Sequence, residues 1–574
     1  MTMHHQADLC VVGGGMAGLC AAMAAARHGA KVVLMQDRPV LGGNASSEIR
    51  MWICGAQRSS RSASMRETGI LEEIELENLR RNPGPNYSIW DSVLYEKAQY
   101  QENLTLLLNC ACMEAGMDGS RIAGVRGWQA TTQTAHIVKA KLFADCSGDS
   151  VLAPLTGAEY RVGREARAEF GESIAPERSD SKTMGMSCLL QLRETPVKTT
   201  FTPPDWAYTF PTDEDLPWAD HGLHSNFWWI ELGGEDDSIH DTEKLRDELL
   251  KIAFGVWDHI KNRGDHGADN WALDWVGFLP GKRESRRYVG DHILTQNDVE
   301  AEGKFDDLAA YGGWSMDDHF PAGFNYRGGH PTIYHPAPAP YGIPYRCLYS
   351  RNIENLLFAG RNISVTHAAL SSTRVMATCA ALGQAAGTVA ALCARDGVTP
   401  REIPIAELQQ ALMEDDCYLP WHAREMPTLT RRAALTSSAE NIENLRSGVD
   451  RPVGEQDNGV YFRAGEHATY TFARPEDITQ LRFVFDSSLN REIKNMPCNY
   501  PLKETRWHTP ESLVRDFRVE YSEDGESFAE LLTIIGNYQR LVRIAVCVRT
   551  KAIRFVPLHT WGAEKIHVFA WDVR

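Results

Sequence analysis

The chain has 574 residues, with 59 basic and 76 acidic side chains (formal charge −17), 43% hydrophobic residues and 24% charged ones. That composition excludes wholesale disorder, a collagen-like repeat and a small disulfide scaffold, and the length suits about three or four folding units. The acidic surplus repels phosphate backbones and anionic lipid, so neither nucleic acid nor a membrane surface is the expected partner.

The 13 cysteines are scattered, with Cys110 and Cys112 the closest pair and no CxxC. They read as buried thiols of a reducing compartment. The opening MTMHHQ lacks a basic region followed by an apolar stretch, so cytoplasmic residence is expected. Oligomeric state leaves no signal in the sequence.

Residues 7–12 form an apolar run of strand length. Gly13-Gly14-Gly15-Met16-Ala17-Gly18 follows, then an Ala-rich helical stretch ending at Arg27-His28-Gly29. A second apolar run, 31–35, completes a βαβ dinucleotide-binding unit whose G-x-G-x-x-G is Gly13, Gly15 and Gly18. Gly13 permits the tight turn, Gly15 lets backbone approach a pyrophosphate, and Gly18 allows close helix–strand packing. The phosphate then meets N–H groups at the helix start. The acid usual at the end of the second strand is replaced by Gln36, which can still bond a ribose hydroxyl as donor or acceptor. Asp37 is equally a ribose ligand or a solvated loop residue.

Just beyond lies Gly42-Gly43-Asn44-Ala45-Ser46-Ser47-Glu48-Ile49-Arg50. A nicotinamide-binding domain does not require this second Gly-Gly, and a backbone following a longer cofactor points to FAD. Strands are predicted at 104–108, 122–127 and 136–144, the last closing in Asp145-Cys146-Ser147-Gly148-Asp149. Residues 161–335 change character and are rich in tryptophan, with Trp206, Trp218, Trp228, Trp229, Trp257, Trp271 and Trp275 among them. An inserted cap or substrate domain is expected, most of these rings forming its core and the alternative being a stacking platform for a sugar. The segment 279–287, LPGKRESRR, either holds an anion such as the pyrophosphate or is a solvated charged face.

Nucleotide-domain texture returns at 355–362. A loop with His367 follows, and Ser371 to Arg374 are expected to cap a helix over the charge-free stretch 375–394. That stretch is long enough to cross a bilayer. Its Ala, Gly and Thr content and central Gln384 favour a packed core helix, whose positive end suits an electron-rich ring. Beyond 420, alternating segments at 468–472, 480–485 and 517–521 predict an all-β sandwich. The expected fold is thus α/β, a Rossmann-like FAD-binding domain (1–160 and 336–424) with an inserted α+β substrate domain (161–335), plus a C-terminal all-β sandwich (425–574).

Together GGGMAG, QDRPVLGGNASSEIR, DCSGD, GKRESRR and AGRNISVTHAALSSTRVMATCAALGQAAG resemble the FAD-dependent oxidoreductases related to succinate dehydrogenase and fumarate reductase flavoproteins. The likeness is closer to a bacterial subgroup often found beside carbohydrate-degrading proteins. The tail, at 517–525 and 553–558, is similar to discoidin-like, galactose-binding modules. The resemblance implies that Gly13, Gly15, Met16, Ala17 and Gly18 hold the FAD pyrophosphate and that Gln36, Asp37 and Arg38 meet the adenosine ribose. It implies further that Gly42, Gly43, Asn44 and Ser46 follow the cofactor toward the flavin. Gly148 and Asp149 would lie near the adenosine side, Gly360 and Arg361 near the ribityl chain, and Ser372, Thr373, Arg374 and Val375 at the flavin pyrimidine end. No His directly follows the Gly-Gly pair, so covalent histidyl attachment is unsupported.

Flavin chemistry moves a hydride between a substrate carbon and N5 while a protein group handles the proton. A general base should lie within ~3 Å of that proton. His367 is the first candidate, Glu48 and Arg50 come next, and Cys54 is the third. His330 and His335 are expected to line the substrate pocket, and no metal site is expected. The expected activity is oxidation or reduction of a small molecule, such as a hydroxyl-bearing glycoside. The alternatives are an NAD-linked dehydrogenase and a non-catalytic carbohydrate-binding protein on a retained nucleotide fold.

Overall fold

The computed structural model describes residues 1–56, 64–217, 221–492, 494–503 and 506–574; Trp218 lies outside them. Two compact units emerge: one of Met1–Arg58, Gly84–Leu408 and Lys494–Arg506, the other of Ser59–Pro83, Gln409–Ile493 and Trp507–Arg574.

In the first unit, β1 (Thr2–Val12), helix α1 (Met16–Arg27) and β2 (Val32–Met35) form the predicted βαβ. Gly29, at φ +90°, stands just past the helix end. The remaining strands are β3 (Leu104–Leu107), β4 (Cys110–Asp118), β5 (Arg121–Gln129), β6 (Thr134–Asp145) and β7 (Leu356–Phe358). The sheet order is β3-β2-β1-β6-β5-β4, with β7 also on β6. β1 runs parallel to β2 and β6, and β7 runs parallel to β6. Met35, Val12, Asp145 and Phe358 stand side by side in register. Four parallel strands therefore end at one level, the edge where open α/β sheets bind ligands.

Among the later helices are α2 (Thr242–Asp258), the short α3 (His367–Thr373) and α4 (Met376–Asp396). α4 is the apolar segment read from the sequence, and 89% of its most apolar window is buried. Its contact with α1 is close because Cβ atoms on Gly383 and Gly387 would lie 2.0 Å from the carbonyl oxygens of Ala17 and Ala21. Backbone then touches backbone, and no rotamer relieves a larger side chain. Gly383→Val is expected to cost about 3 kcal/mol, read as a fall in thermal midpoint.

A second core of this unit gathers Trp229, Trp257 and Trp271 with Leu190, Leu249 and Phe324. All three tryptophans are buried. Trp228 packs partly buried against this core and Trp314 is buried elsewhere in the segment, whereas Trp275 is half-buried and Trp206 is 50% exposed, so most of the described insert tryptophans are core, as expected.

The second unit is built on a β-sheet, its strands being β8 (Ala434–Ser437), β9 (Val460–Phe462), β10 (Ala468–Phe485), β11 (Val514–Ser522), β12 (Ala529–Ile534), β13 (Leu541–Thr560) and β14 (Ile566–Val573). They pair antiparallel in the order β9-β14-β10-β13-β11-β12, with β8 on β10. The segments predicted as separate strands at 468–472 and 480–485 are one strand. Its pairing with β13 shifts between Thr471 and Glu476, where Pro475 lacks a ladder N–H. Phe483, Phe485, Phe517, Phe555 and Trp571 fill the core, joined by Leu76 and Leu79 of the helix Ile70–Arg81. No disulfide joins any cysteine among the described residues.

Candidate functional site

The loops leaving the four aligned strand ends carry most of the glycines singled out in the sequence. Gly13 has φ +98°, and a Cβ there would lie 2.5 Å from Ser147 Cα, so only glycine lets this turn pass the 146–147 loop. Gly15 is the extended N-cap of α1, with no side-chain cap and no acid in the first turn. A Cβ on it would meet only Gly43 Cα, at 3.9 Å. The Gly42 N–H donates to Gly14 O at 2.9 Å, which holds the second Gly-Gly beside the first. The result is a backbone cradle at a bare helix N-terminus, and that donor set fits a pyrophosphate. Its extension along Gly42 and Gly43 fits a long cofactor.

Gln36 does not reach outward. It is 5% exposed, its Oε1 accepts from the Gly14 N–H at 2.7 Å, and its Nε2 donates to Val40 O at 3.1 Å. The side chain braces the glycine turn. Asp37 and Arg38 are exposed and pair with each other at 3.7 Å. Asn44 Nδ2 donates to Lys282 O at 3.1 Å, and buried Ser46 accepts from the Glu48 N–H. Gly148 (φ +76°) packs against the Arg361 guanidinium, and Gly360 has φ +118°. Asp149 bonds Arg361 at 2.7 Å, Lys282 at 2.8 Å and Ser285 at 2.8 Å. Burial alone would push its carboxyl up, and the Arg361 and Lys282 charges hold it below the usual range.

Two expectations around α4 need correction. Ser371, Ser372 and Thr373 do not cap it; they lie inside α3, and Val375 is the cap residue, without a side-chain bond. His367 is not in a loop but opens α3, whose N-cap Thr366 accepts from the Ala369 N–H. One N–H of the α4 first turn is taken as well, since Ala377 donates to Cys54 O at 2.9 Å. Near this end, Ser372 Oγ lies 2.5 Å from the Tyr341 hydroxyl, and buried Thr373 Oγ1 has no hydrogen-bond partner among the described residues.

His367 is the centre of a buried charge web. Its Nδ1 lies 2.8 Å from Glu284 Oε2, its Nε2 lies 3.1 Å from Asp318 Oδ1, and its N–H donates to Glu165 at 2.9 Å. Carboxylates only accept, so both ring nitrogens carry protons. Burial alone would lower the ring's pKa, and Glu284 and Asp318 outweigh it, pushing the pKa up to about 10. A ring already protonated at neutral pH cannot act as the general base expected of it. The basic segment is part of the same web: Arg287 pairs with Glu165 at 3.0 Å and Arg283 lies 3.4 Å from Glu231. Arg287 is buried and the Arg283 side chain is only 10% exposed, so these two arginines are not part of a solvated face.

The web is completed by residues the sequence reading passed over. The strand Met316–His319 pairs with Thr332–His335 in a hairpin. With a period of two, Asp317 and His319 share one face and Asp318 takes the other. Asp317 and His319 lie 3.5 Å apart, His319 Nδ1 meets Glu231 at 2.6 Å, and Arg374 donates to Asp317 O at 3.1 Å. Asp318 turns to His367. The hairpin also separates the two histidines expected to share a pocket. His330 contacts Trp228 and Tyr334, ring centroids 5.9 and 5.6 Å away, whereas His335, opposite Met316, has the Asp318 parity. The run Asp317-Asp318-His319, read as a strand, was the signal available.

The other candidates do not join this cluster. Arg50 bonds Gln191 at 2.6 Å, lies 3.6 Å from Asp274, and is sandwiched between the Tyr87 and Trp275 rings at 4.6 Å each. Glu48 is half-buried, and burial raises its pKa although Arg38 opposes this. Cys54 Sγ lies 2.9 Å from Trp52 Nε1.

A family model described as FAD dependent oxidoreductase matches residues 8–412. No curated protein matches the sequence. Among solved structures, a geranylgeranyl bacteriochlorophyll reductase-like protein from Thermoplasma acidophilum is 13% identical over 72% of this chain and 84% of its own (TM-score 0.32). The family 32 carbohydrate-binding module from Streptococcus pneumoniae EndoD is 11% identical over 25% of this chain and 97% of its own (TM-score 0.20). A module from Clostridium perfringens in complex with GalNAc-β-1,3-galactose is 11% identical over 25% and 96% (TM-score 0.18). These likenesses are too distant to bear on activity.

Proposed function

The chain belongs to the FAD dependent oxidoreductase family, and from that premise we propose that it oxidises a hydroxyl-bearing small molecule, a sugar derivative being the class that fits best. FAD supplies the two-electron acceptor. The cradle of Gly13, Gly15 and Gly18 with Gly42 and Gly43 would hold its phosphates and the adjoining chain. The NAD-linked and non-catalytic alternatives give way to the family match.

The observation that carries the substrate class is Asp318. Its side chain is 21% exposed, and although burial opposes ionisation, the His367 charge and hydrogen bond hold its pKa below the usual range. An ionised carboxylate accepts hydrogen bonds and donates none, so it selects a hydroxyl over a carboxylate substrate. As the substrate C–H gives up its hydride, the hydroxyl proton passes to an Asp318 oxygen. His367 is the positioning residue that fixes this carboxylate.

The test is anaerobic addition of sugars, glycosides, amines and unsaturated acids to the yellow protein. A hydroxyl-bearing sugar is expected to bleach the flavin. Asp318→Asn is expected to stay yellow but bleach at least about 100-fold more slowly. Bleaching by unsaturated acids or amines alone, or an unchanged rate in Asp318→Asn, would overturn the reading.

A further inference from the structure

Far from the glycine edge in sequence, four side chains of the first unit converge. Asp213 opens a short 3-10 turn capped by Thr212. His221 follows eight residues later, His259 begins the π-helical turn His259–Arg263 that extends α2, and His266 lies in the loop beyond. Their ligand atoms all lie within 4.8 Å of one another. His259 Nε2 is 3.0 Å from Asp213 Oδ1 and 3.1 Å from His266 Nε2. Asp213 Oδ1 is 3.7 Å from His266 Nε2 and 3.9 Å from His221 Nδ1. A tetrahedral ion with bonds of 2.0–2.1 Å needs ligand atoms ~3.3 Å apart, and these four distances bracket that edge. The three imidazoles form a near-equilateral triangle, with centroids 5.1, 5.1 and 4.9 Å apart.

His259 is held from behind as a metal-ligating ring is. His259 Nδ1 lies 2.8 Å from Phe210 O, and a carbonyl only accepts, so Nδ1 is protonated and a neutral ring turns the Nε2 lone pair inward. Asp213 Oδ1, which also only accepts, faces that lone pair at 3.0 Å, and a cation between them serves both. The three histidine side chains are 5%, 1% and 13% exposed and Asp213 is 65% exposed, which leaves an entry path on the carboxylate side.

We propose that Asp213, His221, His259 and His266 bind one divalent cation of the zinc class. Nitrogen-rich tetrahedral ligation selects zinc over calcium or magnesium. Four protein ligands make the site structural, a clamp tying Asp213, His221 and the 264–268 loop to the end of α2. Neither the cysteine pairs nor the His330–His335 spacing marks a metal site in the sequence; these four side chains are brought together by the fold.

The test uses the full, flavin-loaded chain, stripped with chelator and titrated with Co2+. One equivalent is expected to give a tetrahedral d–d band to the red of the flavin bands, which Zn2+ then abolishes. Asp213→Asn, at an exposed position, should weaken binding at least tenfold, and His266→Ala should abolish the band. The double variant His4→Ala/His5→Ala should leave it intact. Zinc should also raise the thermal midpoint of the stripped native chain but not of His266→Ala. Absence of the band, or equal cobalt uptake by native chain, Asp213→Asn and His266→Ala, would overturn the site.

Discussion

A Gly18→Ala chain is expected to purify without flavin, and its affinity for added FAD should fall at least about 100-fold. A Cβ on Gly18 would stand 1.8 Å from Gly13 O and 2.9 Å from Gly13 C. The atom it meets is backbone, so no neighbouring side chain can give way, and the strain is relieved only by opening the turn that forms the phosphate cradle. If that opening costs about 3 kcal/mol and falls wholly on the binding-competent state, the affinity changes by two orders of magnitude. The comparison is Gly84→Ala, whose Cβ would meet nothing within 4 Å and which should stay yellow. Absorbance ratios of the two purified proteins and FAD titration of each give the answer. A yellow Gly18→Ala protein with native affinity would remove the glycine edge from the binding site.

The second large effect is expected from His367→Gln. It removes the cation between Glu284 and Asp318, and breaking a buried ion pair typically costs about 3–5 kcal/mol because the surviving charge is left uncompensated. The effect carries a pH signature. The folded ring holds its proton up to about pH 10, and an ordinary histidine releases it near 6.5. The contribution of the protonated ring is therefore full below pH 6.5, shrinks between 6.5 and 10, and is lost above about 10. Urea unfolding of native and His367→Gln proteins should differ most near pH 6 and converge toward pH 10. Turnover should fall about 100-fold or more and, in the native enzyme, should persist from pH 7 to 9 and decline through about 10. A native profile that instead rises with a midpoint near 6.5 would restore His367 as the base.

Some of this could be read without coordinates and some could not. The βαβ unit, the places of Gly13, Gly15 and Gly18, the packed apolar helix and the alternating β tail were all legible, because each is encoded by neighbours in sequence. Strand and helix periods, turn glycines and the lack of charge over 375–394 act through the local backbone, and the resemblance added the FAD assignment along the same motifs. The protonation state of His367 was not legible, since its partners Glu284 and Asp318 lie 83 and 49 residues away. For the same reason Arg50 looked available until Gln191, Asp274 and two aromatic rings closed around it, and Gln36 looked like a ribose ligand until its amide met Gly14. Aspartate and histidine in 316–319 were visible as letters, but which face each takes depends on the hairpin register. A charge, a tautomer or a ligand cage is a sum over neighbours in space, weighted by burial, and only the folded chain decides which neighbours those are.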